Sequence, residues 1–122
     1  MNEQNMDTSI LKFLEDLALA GVTFIRDYIQ FLFDDAVLNT YTLPQIRTEI
    51  GQISSAQHGY CDALCSLIGK RVLHANEYAK EEKIVIQFED DKEITISLKL
   101  EDRVCAEAAM FQIWRDRTWN VW

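Results

Sequence analysis

Between Lys83 and Leu98 the chain alternates apolar and polar residues with period two. Ile84, Ile86 and Phe88 come first, and Ile94, Ile96 and Leu98 follow after the turn-forming Asp90-Asp91-Lys92. This pattern suits a β-hairpin with one face in a core and the other in water, because successive side chains on a strand point to opposite sides. A one-residue slip in pairing would send the whole apolar set into solvent, so the pattern constrains register as well as element type.

The same design occurs earlier. Ile29, Phe31 and Phe33 alternate with Tyr28, Gln30 and Leu32. Asp34-Asp35 interrupts, and Ala36 to Leu43 reads as a return strand that Pro44 ends. Each hairpin follows a stretch with helical spacing. Ile10, Phe13, Leu14 and Leu17 share one face, with Asp7, Thr8 or Ser9 as the N-cap. Tyr60, Leu64 and Leu67 share another, between Gly59 and a C-terminal glycine cap at Gly69. Shifted by 50, Leu14 meets Leu64, Leu17 meets Leu67 and Val22 meets Val72. Shifted by 55, Ile29, Phe31 and Phe33 meet Ile84, Ile86 and Phe88, and shifted by 56, Leu38 meets Ile94.

The expected fold class is therefore α+β: about six antiparallel strands with two to three helices, in two αβββ halves related by a pseudo-twofold repeat. The chain of 122 residues is expected to form a single domain, 1–122. Its halves would cover approximately 7–44 and 59–100. Residues 45–58 would connect them, where Gly51 and Ser54-Ser55 break a weak helical spacing of Ile46, Ile50 and Ile53. Residues 101–122 would form a C-terminal helix and tail. Val104, Ala108 and Phe111 share a helical face over 102–113, and Thr118 to Trp122 reads as a short final strand. Trp114, Trp119 and Trp122 would pin the tail to the core or leave a dimer patch.

Function is narrowed mainly by what is missing. The net charge is −8 and the isoelectric point about 4.6. Such a surface repels phosphate backbones and anionic lipid, so neither nucleic acid nor membrane is an expected partner, whereas a basic protein is. The four glycines form no phosphate-binding loop, and no nucleophile elbow is present. His58, Cys61 and Cys65 are spaced H-x2-C-x3-C. Two thiols one helical turn apart could share a metal with Cys105 or His74, but the spacing matches no strong metal-site pattern, and small buried thiols are commoner. The aspartate pairs fall on expected hairpin tips, which lack the apolar surroundings that acid–base catalysis by paired carboxylates needs. No catalytic, cofactor-binding or metal-ligating residue is expected, and no cofactor. The polar, acidic start Met1–Asp7, three cysteines and the lack of a long apolar run lead to the expectation of a reducing cytoplasm. The candidate partner-binding residues are Tyr28, Asp34, Asp35 and Tyr41, where aromatic anchors and carboxylates combine.

Several runs carry a resemblance. Leu67-Ile-Gly-Lys-Arg-Val72, Ile86-Gln-Phe-Glu-Asp-Asp91, Ile96-Ser-Leu98 and Glu107-Ala-Ala-Met-Phe111 stand in the second half. Arg26-Asp-Tyr28, Gln30-Phe31, Phe33-Asp34 and Leu43-Pro44 stand in the first. Together they resemble a group of small, largely uncharacterised bacterial proteins that are themselves similar to the immunity proteins of polymorphic-toxin systems. The resemblance implies a non-enzymatic inhibitor that binds a basic toxin domain, and it carries over no catalytic residue. Two alternatives stand beside it: a homodimeric structural module, and a small-molecule or metal-dependent enzyme using Cys61, Cys65 or His58.

Overall fold

The computed structural model describes residues 10–122. Ten strands are found among them: β1 (Gly21–Phe24), β2 (Ile29–Phe33), β3 (Ala36–Thr40), β4 (Gln45–Thr48), β5 (Gly51–Ile53), β6 (Val72–Tyr78), β7 (Lys83–Phe88), β8 (Lys92–Ser97), β9 (Ala109–Ile113) and β10 (Thr118–Val121). One α-helix, α1 (Tyr60–Cys65), and 3-10 turns at Leu11–Leu14 and Leu100–Asp102 complete the described elements. The strands form two five-stranded antiparallel sheets, ordered β1-β2-β3-β9-β10 and β5-β4-β8-β7-β6.

The expected α+β class of αβββ halves is thus wrong, and the chain is mostly β. Three segments account for the difference. The expected N-terminal helix is only the Leu11–Leu14 turn, and its proposed caps Asp7, Thr8 and Ser9 lie outside the described residues. Asp16 takes a left-handed backbone (φ 75°), and the chain then runs extended against residues 69–72 through the bonds Asp16 N–Val72 O and Leu19 N–Lys70 O. A helix needs a costly first turn and pays it back only over length, so the ladder prevails here. The expected connector 45–58 contains the β4–β5 hairpin. Ile46 and Ile53 face each other across it, and Ile50 sits exposed at its tip beside Gly51 (φ 124°). The expected C-terminal helix 102–113 is a 3-10 turn, a loop and then β9, whose Ala109, Phe111 and Ile113 alternate inward. Short apolar runs fit helix and strand spacing alike, and here the sheet decides.

The second hairpin pairs as its alternation requires, Ile84 with Ile96 and Ile86 with Ile94. Two Asp residues with left-handed backbones, Asp90 (φ 66°) and Asp91 (φ 60°), turn it. Asp tolerates this conformation because its side chain bonds the local backbone. In the first hairpin Phe33 pairs with Ala36, so Asp34-Asp35 forms the whole two-residue connection.

Each sheet is assembled from both halves of the chain. The meander β1-β2-β3 is completed by the hairpin β9–β10 from the second half, and the meander β6-β7-β8 by the hairpin β4–β5 from the first. Leu38 on β3 therefore pairs with Phe111, and Ile94 on β8 with Ile46. All four are fully buried, in one cluster that also holds Phe31, Phe88, Ile84, Ile86 and Ile96. Leu11 and Leu14 from the 3-10 turn, and Tyr60, Leu64 and Leu67 from the α1 region, join the same cluster. The helix contributes its apolar stripe to a β core.

Candidate functional site

An open cleft of about 1080 Å³ lies where several strand ends meet. The β1–β2 turn supplies Arg26, Asp27 and Tyr28. The stretch after β3 supplies Tyr41, Thr42 and Leu43. The β6–β7 turn supplies Glu81 and Glu82, the first residue of β7 is Lys83, and the loop after β8 supplies Lys99, Asp102, Val104 and Cys105.

Local hydrogen bonding holds these walls. Tyr41 and Thr42 both donate their backbone N–H to Ala108 O, at 2.8 and 3.0 Å. Leu98 N–H donates to Glu82 O at 2.7 Å, which ties the loop after β8 to the β6–β7 turn. Arg103 crosses that loop, donating Nε and Nη2 to Leu98 O (3.2 and 2.9 Å) and Nη1 to Ala106 O (2.9 Å). The Ser97 hydroxyl donates to the Asp102 carboxylate. Between the lining residues Leu43 and Gln45, Pro44 O accepts the buried Tyr60 hydroxyl. Burial, reinforced by neighbouring Cys61, pushes the Tyr60 phenol far above its ordinary pKa, so it remains a donor at any physiological pH.

The most distinctive pair in the cleft is Tyr28 and Tyr41. Their ring centroids are 5.1 Å apart with the planes tilted by 56°, just beyond the Ile29–Thr40 end of the β2–β3 ladder. Tilted pairs at this distance are favourable and present both ring edge and ring face to a visitor. Four carboxylates (Asp27, Glu81, Glu82, Asp102) and three cations (Arg26, Lys83, Lys99) surround them. Two of the cations are already engaged: Arg26 lies 3.9 Å from Asp27, and Lys83 sits over the Tyr78 ring at 5.9 Å. Thr42 is 7% exposed, and its Oγ1 has no hydrogen-bond partner among the described residues. A buried hydroxyl of this kind costs free energy until something bonds to it.

Comparison with protein families, with curated proteins and with solved structures returns no match.

Of the four sequence-derived candidates, the structure brings together Tyr28 and Tyr41 and separates Asp34 and Asp35 from them. The aspartates occupy the opposite end of the β2–β3 hairpin, six residues along each strand and so about 20 Å away at the usual strand rise. Asp35 takes a left-handed backbone (φ 65°), accepts Arg115 Nη2 at 3.2 Å, and its carbonyl accepts Trp114 N–H at 2.8 Å. Its visible work is joining the β2–β3 turn to the β9–β10 turn.

The cysteines and histidines do not converge. Cys61, Cys65 and Cys105 are exposed free thiols, the first two one turn apart on α1. Among the described residues no group of three or more His, Cys, Asp or Glu is placed to hold a metal ion. Trp122 is fastened to the core, its indole N–H donating to Glu77 Oε1 at 2.9 Å, while Trp114 and Trp119 remain more than half exposed. No described helix is long and apolar enough to cross a membrane. Sequence reasoning missed Thr42, Glu81, Glu82 and Asp102 as parts of one wall. The only available signal was that Lys80-Glu81-Glu82 reads as a turn, and turns at strand ends are where recognition surfaces collect.

Proposed function

We propose that this chain is a non-enzymatic binding protein of the immunity type, which grips a basic protein partner through the Tyr28–Tyr41 cleft. The observation that carries the reading is the tilted tyrosine pair at the mouth of a cleft whose carboxylates outnumber its cations, on a chain of net charge −8. Tyrosine anchors interfaces because it contributes large amphipathic area with little loss of rotamer freedom. Glu81 and Glu82 on the rim would steer a basic face toward it. The unbonded Thr42 hydroxyl offers a buried hydrogen-bonding group to whatever enters. In this reading the protein works in a reducing compartment, which suits three exposed free thiols.

The test is site-specific photocrosslinking in the native cell. A benzophenone side chain in place of Tyr41 should capture one predominantly basic protein, whereas the same group in place of Ile50 on the distal β4–β5 tip should not. Tyr28→Ala with Tyr41→Ala should then weaken binding of that protein at least tenfold, and its association rate should fall as salt rises. Equal capture from both positions, or a partner bound as tightly by the double variant, would refute the reading.

A further inference from the structure

The two sheets present very different outer faces. Across the second sheet one outward row runs Gln52, Arg47, Glu93, Gln87, His74, with Arg47 Nη2 bonded to Glu93 Oε1 at 2.9 Å. The adjoining row, Gln45, Thr95, Val85 and Asn76, is uncharged, so this face mixes charged and uncharged rows. Across the first sheet the pairing sets out two outward rows. One runs Gly21, Leu32, Val37, Gln112, Trp119, and the other Thr23, Gln30, Asn39, Met110, Val121. None of these ten residues is charged, on a chain that is 26% charged. Val37 and Asn39, the outward residues of the central strand, are already buried in the single copy, and Val37 stands outside the main core cluster. Trp119 (58%) and Val121 (45%) are openly exposed at one end.

We propose that this face docks a second copy of the chain, sheet on sheet, about a twofold axis running along β3. Charge selects the occupant. A basic partner would find no carboxylate on the face to pair with, whereas two copies of net charge −8 repel least when they meet where neither carries charge. The residue order across the sheet then fits itself. An axis along the central strand reverses the order of strands, so β10 of one copy lies over β1 of the other. Trp119, the largest side chain of its row, lies over Gly21, the smallest, and Val121 lies over Thr23. The Gly21 socket is bordered by the Leu32 side chain, whose Cδ1 would lie at ordinary contact distance, 3.6 Å, from a Cβ added there.

A second, independent observation sits on the axis. Asn39 is 7% exposed and its Oδ1 lacks a hydrogen-bond partner among the described residues. The twofold brings Asn39 of each copy opposite the other. Oδ1 is buried in the single copy, so the amide must turn outward for the pair to form; a primary amide is self-complementary, with an N–H2 to donate and a carbonyl to accept, and the turned pair answers the unmet acceptor in both copies. Five strands about 4.8 Å apart and two rows about 7 Å apart give roughly 350–400 Å² per copy, or under about 800 Å² in total. That is small for a permanent dimer, so dissociation constants in the range of roughly 10 µM to 1 mM follow.

Sedimentation equilibrium of the full chain, from about 5 µM to 1 mM, tests this directly. The weight-average mass should rise from 14.2 kDa toward twice that value, and the rise should strengthen with added salt as the mutual repulsion is screened. Trp119→Glu should weaken association at least tenfold. Gly21→Val, which fills the socket without touching the tryptophan, should do the same, because the backbone at Gly21 is not left-handed and accepts a side chain. Ile50→Lys, on the exposed β4–β5 tip, should leave association unchanged. Far-UV circular dichroism confirms that each variant is folded. A monomer at every concentration would overturn the proposal. So would a dimer that survives both Trp119→Glu and Gly21→Val, or one that salt dissolves.

Discussion

Phe111→Ala probes the exchange of hairpins directly. Phe111 is fully buried on β9 and pairs with Leu38 on β3, so it belongs by sequence to the second half and by location to the first sheet. Removing the ring forfeits a transfer free energy of about 2–3 kcal/mol. The cavity left behind, walled by a close-packed cluster, brings the expected loss to about 3–5 kcal/mol. For a domain of this size that lowers the thermal midpoint by roughly 10–20 °C. The more telling consequence concerns where the loss is felt. If the halves were independent, amides of β7 would keep their protection against hydrogen exchange while those of β9 lost it. Because each meander is closed by the other half's hairpin around one shared core, the slowest amides of β2 and of β7 should lose protection by the same amount. Native-state hydrogen exchange read residue by residue by NMR measures both. Unchanged protection at Ile84 and Ile86 in the folded variant would refute the shared-core argument, and a total loss below about 1 kcal/mol would refute the burial of Phe111 itself.

Two further outcomes are expected. Thr42→Val replaces a buried, unbonded hydroxyl by a methyl group of similar shape, so the isolated protein should gain about 1 kcal/mol of stability in urea unfolding, and a loss would mean that the hydroxyl is already satisfied. The Glu15 carboxyl feels partial burial, which raises its pKa, but the N–H of Ala75 (3.2 Å) and the Lys12 ammonium (3.2 Å) outweigh this and hold it below the ordinary carboxylate value. A folded-state pKa below the unfolded one contributes stability that is present above the unfolded pKa and lost as pH falls through the folded one. Glu15→Gln should therefore be less stable than the parent near neutrality, with the gap in thermal midpoint closing below about pH 4; a gap independent of pH would remove the carboxylate from the account.

The hairpin β7–β8 was legible because its alternation, its charged tip and its length all indicate the same element. The β2–β3 hairpin was legible for the same reason, but Tyr28 and Tyr41 were read only as members of one group with Asp34 and Asp35, and their contact follows from the register of the ladder. What misled were segments with three apolar residues at ambiguous spacing. Val104, Ala108 and Phe111 fit a helix, yet Val104 is 78% exposed, Ala108 precedes β9 and Phe111 lies on it. Ile46, Ile50 and Ile53 fit one as well, although Ile50 is a turn residue. In each case the stabilisation that selects the strand comes from a partner more than forty residues away, β3 for β9 and β8 for β4, and no local window contains it.

Residue order alone therefore determined the period-two strands, the aspartate turns and the acidic surface, all of which follow from backbone geometry and charge within a few neighbouring residues. Only the tertiary structure decided which hairpin closes which sheet, that Tyr28 and Tyr41 share a cleft with Thr42, Glu81 and Asp102, and that ten uncharged residues align on one outer face. These depend on long-range pairing and on the free energy of filling one common core, which a chain expresses only when folded.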